Sequence, residues 1–218
     1  MKRPELIIFD MDGLLLDTER IANEAWIEAG KNRDIKITGD ILRKIKGGNR
    51  ENSIKVLKDI INENELFDFI EEKRRIQRKI IEKKGINLKK GVFELLTFLK
   101  KENIKMVVAT SSEKSIAEKE LKDTKIYEYF DEFVFGDEVS NSKPHPEIFL
   151  KACDKFKVDP NETFVLEDSV LGLKAAISGG IKCIVVEDTV KFTNEENKLP
   201  FKKFEDLIKV RDFFIEFF

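Results

Sequence analysis

Histidine, tryptophan and cysteine are scarce in this 218-residue chain: one His, one Trp and two Cys. A lone His145, lodged between Pro144 and Pro146, makes neither a histidine-rich metal site nor a Ser-His-Asp triad. Cys153 and Cys183 lie far apart, with no metal or redox spacing, and read as buried thiols of a reducing compartment. Charge of one sign is not in excess. Forty Lys and Arg face 42 Asp and Glu, a formal net charge of -2, which leaves no basic footprint for nucleic acid. No apolar run reaches the about 20 residues of a membrane span. Glu5 and Asp10 interrupt the first apolar stretch, so no secretory leader is expected. No Gly-x-x-x-x-Gly-Lys loop is present, which removes the P-loop class of nucleotide-driven enzymes. These absences predict a cytoplasmic protein with a small molecule rather than nucleic acid or membrane as its partner; a monomer is the default expectation, since no residue pattern here encodes the oligomeric state.

What is present is concentrated in Ile7-Ile8-Phe9-Asp10-Met11-Asp12-Gly13. An apolar run leads directly into two aspartates spaced i, i+2. Side chains alternate along a strand, so both carboxylates emerge on one side where a buried strand ends. Carboxylates are rarely buried without a partner or a metal. The pair alone also fits a strand-end aspartate capping a turn, with Gly13 supplying the bend.

Strand and helix patterns organise the rest. Residues 5–10 read as a strand. Residues 18–84 read as helical, with apolar stripes at Ile21, Ala25, Trp26, Ala29 and at Phe69, Ile70, Lys73, Ile76, Ile80. Gly47-Gly48-Asn49 breaks that pattern as a loop. After Gly85, helices are expected over residues 92–101, 113–122, 146–156, 170–178 and 204–214. Strands are expected over residues 104–109, 133–135, 163–166 and 181–186. This alternation predicts an α/β fold, a doubly wound parallel sheet covered on both faces. Residues 18–84 then form an inserted all-helical domain, and residues 1–17 with 85–218 the α/β core. Glu71-Glu72-Lys73-Arg74-Arg75 reads as an exposed charged helix face, Trp26 as core of the insert, and the aromatic tail 211–218 as core packing.

Ligands of such sheets bind beyond the carboxyl ends of the strands. The first strand ends in Asp10 and Asp12, the second in Thr110-Ser111-Ser112. The third leads through Gly136-Asp137 to Lys143-Pro144, and the fourth ends in Glu167-Asp168-Ser169. These residue types fit phosphoryl transfer. Clustered acids and a phosphate dianion need counter-charge, and Mg2+ suits: it takes one or two carboxylates and bridges phosphate oxygens. Lys143 adds a positive charge. Thr110 and the amides beyond it can hydrogen-bond a phosphoryl oxygen. An aspartate nucleophile, with an ordinary pKa of about 3.9, is already ionised at neutral pH and needs no base. A second aspartate can protonate the leaving oxygen and then activate water.

The chain resembles the haloacid dehalogenase superfamily, in the phosphatase and β-phosphoglucomutase-like branch with a helical cap, over nearly its whole length. Phe9-Asp10-Met11-Asp12-Gly13-Leu14-Leu15-Leu16-Asp17-Thr18-Glu19 is similar to that branch's first motif, and Val107-Val108-Ala109-Thr110-Ser111-Ser112 to its second. Ser142-Lys143-Pro144-His145-Pro146-Glu147-Ile148-Phe149 is similar to its third, and Leu166-Glu167-Asp168-Ser169, with Gly172, Ala175 and Ala176, to its fourth. The resemblance implies a Rossmann-like core and a magnesium-dependent phosphatase of small phosphorylated metabolites, sugar phosphates foremost. Asp10 would be the nucleophile that becomes an aspartyl phosphate. Asp12 would be the general acid and base, with its carbonyl on the metal. Thr110, Ser111, Ser112 and Lys143 would hold the phosphoryl group, and Glu167 and Asp168 would complete the metal site. An acid at Asp12 disfavours carbon–halogen cleavage. A cap segment similar to residues 46–51 reaches the site in related enzymes, implicating Gly47 and Arg50 in substrate binding; Arg50 equally fits the start of a helix on a solvated face. Mutases of the branch carry a cap histidine where Ala22 stands here, which favours water as acceptor over isomerisation. Residues 9–20 are also similar to the opening of pseudouridine-5'-phosphatase, which keeps a nucleotide-like substrate open.

Overall fold

The computed structural model describes residues 3–189 and 191–217. Six parallel strands form one sheet in the order β3-β2-β1-β4-β5-β6. They are β1 Leu6–Phe9, β2 Lys105–Ala109, β3 Glu132–Val134, β4 Thr163–Glu167, β5 Lys182–Val186 and β6 Lys202–Phe204. The strand order reverses at β1, which pairs with β2 on one side and β4 on the other, Phe9 standing opposite Val108 and Leu166. This is the switch point of a doubly wound sheet, and the Asp10–Asp12 segment leaves from it.

Strand periodicity builds two cores. Ile7, Phe9, Met106, Val108, Phe164, Leu166, Ile184 and Val186 enter one apolar cluster. Their neighbours Leu6, Ile8, Val107, Ala109, Val165, Cys183 and Val185 enter the other. The first lies under α5 (Val92–Lys101), α6 (Lys114–Asp123) and α9 (Leu207–Phe217), the second under α7 (Glu147–Phe156) and α8 (Val170–Ser178). Both cysteines are free and buried in the second cluster.

Four helices are inserted between β1 and α5: α1 Thr18–Lys31, α2 Gly39–Ile45, α3 Arg50–Leu57 and α4 Glu63–Lys84. They bury a third apolar cluster of their own around Trp26, Leu57, Phe69 and Ile70, with the Trp26 and Phe69 rings 5.8 Å apart. Thr38 and Asn49 cap α2 and α3, their side chains accepting from Ile41 N and Asn52 N.

The C-terminus departs from expectation. The chain forms an edge strand at Lys202–Phe204, and the last helix starts at Leu207, not at residue 204. A three-residue strand carrying two lysines gives no alternating apolar pattern, and lysines are what an edge strand uses to block further pairing. The tail packs inward in part. Phe214 is fully buried, edge-on to Phe164 at 5.9 Å, whereas Ile215 is exposed. Phe218, the end of the predicted aromatic tail, lies outside the described residues.

Candidate active site

The carboxyl ends of β1, β2 and β4 bring the expected residues together. Lys143 is fully buried, and its Nζ lies 2.5 Å from Asp10 Oδ1 and 2.8 Å from Glu167 Oε1. Asp12 is held by hydroxyls: Thr18 Oγ1 donates to Oδ1 at 2.6 Å, and Ser112 Oγ to Oδ2 at 2.8 Å. Thr110 Oγ1 lies 3.4 Å from Asp12 Oδ2 and accepts from Ser112 N at 3.1 Å. Ser111 takes a different role, donating from Oγ to the Gly47 carbonyl at 3.0 Å and so tying the inserted helices to the sheet edge. Gly47 adopts φ 76°, and a Cβ there would stand 2.2 Å from Ser169 Oγ, so only glycine allows this approach.

Asp10, Glu167 and Asp168 offer buried carboxylate oxygens within 4.8 Å of one another. An all-oxygen set of this kind fits a small hard cation. The three differ in what already satisfies them. Glu167 Oε2 accepts from Asp168 N, Ser169 N and Ser169 Oγ at 2.7–2.8 Å, while its Oε1 meets Lys143. Glu167 thus holds Lys143 and the turn that aims Asp168. Its packing depends on Gly172, where a Cβ would fall 1.7 Å from Glu167 Oε1. Gly172→Ala should therefore displace the carboxylate from its donors and break a buried pair, at a cost of about 3–5 kcal/mol. A thermal melt should show this as a clear fall in Tm; an unchanged Tm would mean that Glu167 is free to move.

Burial, reinforced by Glu167, Asp168 and Asp12, pushes the Asp10 carboxyl well above the usual range despite Lys143. Burial and Glu167 push Asp168 up likewise, against the opposing Lys46. The nucleophile candidate is therefore not ionised simply because it is an aspartate, as its ordinary pKa implied; its charge depends on Lys143 and on further positive charge nearby.

Positive charge also reaches Asp168 from Lys46, the first residue of the 46–51 segment, for which the sequence alone implied no role. Buried in the loop after α2, it places its ammonium 2.6 Å from Asp168 Oδ2 and 2.9 Å from Asp188 Oδ2. Asp188 also meets Lys89 at 2.5 Å. Burial would raise the Asp188 carboxyl, but Lys46 and Lys89 outweigh it and hold it at about 2. Asp188 sits just beyond the carboxyl end of β5. Its signal in the sequence was the same strand-end placement that marks Asp10 and Asp168, extended to the fifth strand. Between insert and core stand Glu19, Lys73 and Glu120. Desolvation raises Glu19 to about 7 and Glu120 to about 8, and lowers Lys73 to about 8; Asp12 is among the charges acting on each. Lys73 is thus no part of an exposed charged face; a lysine inside an apolar stripe was its signal. Arg50 begins α3, and its guanidinium lies 3.5 Å from Glu71 on α4 and 4.4 Å from the centre of the Phe67 ring.

A doubly wound sheet whose switch point carries an aspartate pair, a buried lysine and a carboxylate cluster defines a class of phosphoryl-transfer enzymes. The chain belongs to the haloacid dehalogenase-like hydrolases, whose family model matches residues 7–186. It is 34% identical over 180 residues to a phosphorylated carbohydrates phosphatase of Thermotoga maritima, covering 83% of each chain. It is 30% identical over 187 residues to a β-phosphoglucomutase of Bacillus subtilis, covering 83% of this chain and 82% of the relative. A solved β-phosphoglucomutase of Clostridium difficile superimposes with TM-score 0.81 at 25% identity, covering 98% of this chain and 96% of that one. The chain is an enzyme of the phosphoric monoester hydrolase type.

Proposed function

We propose that this enzyme is a magnesium-dependent phosphatase of small phosphorylated metabolites, chiefly sugar phosphates, working through an aspartyl phosphate on Asp10. The observation that carries the reading is the buried Lys143 ammonium between Asp10 and Glu167, beside an Asp12 carboxylate fixed by Thr18 and Ser112. Asp10 attacks phosphorus and takes the phosphoryl group onto its carboxylate as the bond to the leaving oxygen breaks. Lys143, Thr110, and the Ser111 and Ser112 segment bind the transferring oxygens, on which negative charge accumulates. Asp12, oriented by its two hydroxyl donors, protonates the leaving oxygen. It then takes the proton from the water that releases phosphate. Asp10, Asp168, Glu167 and the Asp12 carbonyl would hold Mg2+, which when bound neutralises phosphate charge and the nearby carboxylates.

In this reading residues 18–84 are a cap that closes over the core formed by 1–17 and 85–218, excludes water and presents Gly47 and Arg50 to the leaving group. Ala22, half-buried on α1, stands where a mutase histidine is expected, which favours water as the acceptor. Two buried free thiols support a cytoplasmic location, and nothing in the charge balance calls for a nucleic-acid partner. Among the described residues no helix is long and apolar enough to cross a membrane. We take the working form as a monomer.

The test is phosphate release from an aryl phosphate and from a panel of phosphometabolites, in excess chelator and after Mg2+ is restored. Chelation should abolish turnover and Mg2+ should recover it; full activity in chelator contradicts the reading. The raised carboxyls of Asp10 and Asp168 add a pH dependence. The metal-free fold binds protons there more tightly than the unfolded chain, so it loses stability as pH rises above the ordinary carboxylate range. Metal ligands must be deprotonated, so Mg2+ binding should release protons and tighten as pH rises. Calorimetry in two buffers of different ionisation enthalpy counts those protons; a pH-independent Kd with none released would contradict the assignment.

A further inference from the structure

Arg43 and Lys46 stand one turn apart at the carboxyl end of α2. Both meet acids of one core segment, the connection from β5 to β6. Lys46 pairs with Asp188 at 2.9 Å, both side chains almost wholly buried. Arg43 Nη2 donates to Glu196 Oε1 at 2.7 Å and to Oε2 at 2.5 Å. One residue beyond Lys46, the Gly47 carbonyl accepts from Ser111 at 3.0 Å, and Gly47 lies against Ser169. The end of α2 is thus tied both to the β5–β6 connection and to the ends of β2 and β4.

Glu196 is set for this contact independently of Arg43. Its Oε2 accepts from Thr193 N at 2.8 Å, and its own N donates to Thr193 Oγ1 at 3.3 Å, the reciprocal arrangement of a capping box. Phe192, next to Thr193, is buried in the second core cluster. Asn197 donates to the Phe192 carbonyl at 3.2 Å and accepts from Lys203 of β6 at 2.5 Å. The carboxylate is therefore fastened to the sheet, and only the arginine has to be ordered on pairing. An isolated ion pair between two mobile surface chains contributes little. A preset acceptor loses less on pairing, and here the contact continues into the dry Lys46–Asp188 pair. Glu196 stands outside the phosphoryl-binding residues; its reach to the site runs through Arg43, Lys46 and Gly47.

We propose that Glu196 is a positioning residue. By holding Arg43 it latches the inserted helices to the core, and so seats Lys46 against Asp168 and Gly47 against Ser111. Released from Glu196, the end of α2 withdraws and takes both contacts with it. A substrate that must be enclosed then suffers, and a small one does not. The inference rests on the phosphatase reading above and adds to it a residue remote from the reacting atoms.

The test measures kcat/KM for glucose 6-phosphate and for acetyl phosphate, together with amide hydrogen exchange of the substrate-free proteins. Glu196→Ala and Arg43→Ala should each lower kcat/KM for glucose 6-phosphate about tenfold, an ordinary size for coupling between separate sites, and leave that for acetyl phosphate nearly unmoved. The double variant should lose no more than either single one, because both remove the same interaction. Exchange should quicken over residues 46–49 and 110–112 in all three variants, with the cluster around Trp26 and Phe69 unchanged. A folded Glu196→Ala enzyme with unchanged glucose 6-phosphate turnover overturns the proposal. So do additive losses that fall equally on both substrates, the mark of a merely structural role. Arg43→Ala leaves the Thr193–Glu196 contacts intact and decides in the same way if Glu196→Ala does not fold. If the wild type releases phosphate from neither compound, the phosphatase reading falls and exchange alone decides on the latch, quickened exchange upholding it and unchanged exchange overturning it.

Discussion

Asp10→Asn should lower phosphate release by roughly 10⁴- to 10⁶-fold, the scale of loss when a nucleophile is removed from a covalent mechanism. An amide has no ionised oxygen to attack phosphorus, and no neighbour can supply the missing group. Asp12 is held away by Thr18 and Ser112, and Glu167 is engaged by Lys143 and three donors. The substitution should leave the fold intact. Burial together with Glu167, Asp168 and Asp12 already pushes the Asp10 carboxyl toward its neutral form, so a neutral isostere relieves like-charge repulsion in metal-free protein. Lys143 keeps Glu167 as its partner. The expected result is an inactive protein that melts within a few degrees of the wild type; retained turnover would move the nucleophile elsewhere.

Asp12→Asn should cost about 100- to 10,000-fold, the usual worth of general acid–base assistance. Its effect should depend on the leaving group. A sugar alkoxide must be protonated as it departs, whereas p-nitrophenolate leaves without help. The asparagine can keep both hydroxyl contacts, its carbonyl accepting from one and its amide donating to the other, so geometry is preserved while proton transfer is lost. With p-nitrophenyl phosphate the variant should give a burst of one product per enzyme and then turn over slowly, because water still lacks its base. With a sugar phosphate even the burst should vanish. Equal losses on both substrates and no burst would show that Asp12 does not act as the acid.

Much of this was legible in the residues because strand ends are local features. Asp10, Thr110 and Asp168 each follow an apolar run, Lys143 lies on the connection beyond the third, and a parallel sheet collects such positions on one edge. The two face-alternating cores come from the same period of two. What stayed hidden depends on contacts between distant segments. Lys46 and Asp188 are 142 residues apart in sequence, and nothing local marks them as a pair. Glu71 and Arg74 read as a solvated helix face because helical spacing alone cannot show that Arg50 and Glu113 approach from other elements. The edge strand Lys202–Phe204 escaped for a different reason: its protective lysines erase the apolar signal by which strands are found.

The central claim is covalent: a phosphoryl group rests on Asp10 during turnover. The direct measurement is to mix enzyme, Mg2+ and excess substrate, quench in acid within the first turnovers, and map phosphorylation by peptide mass spectrometry. One phosphoryl group is expected on the peptide containing Asp10. It should be absent from Asp10→Asn, absent in chelator, and labile to mild base or hydroxylamine as an acyl phosphate is. Rapid phosphate release with no phosphoryl-enzyme at any quench time, or a phosphoryl group found on Ser111, Ser112 or Asp12 instead, would contradict it.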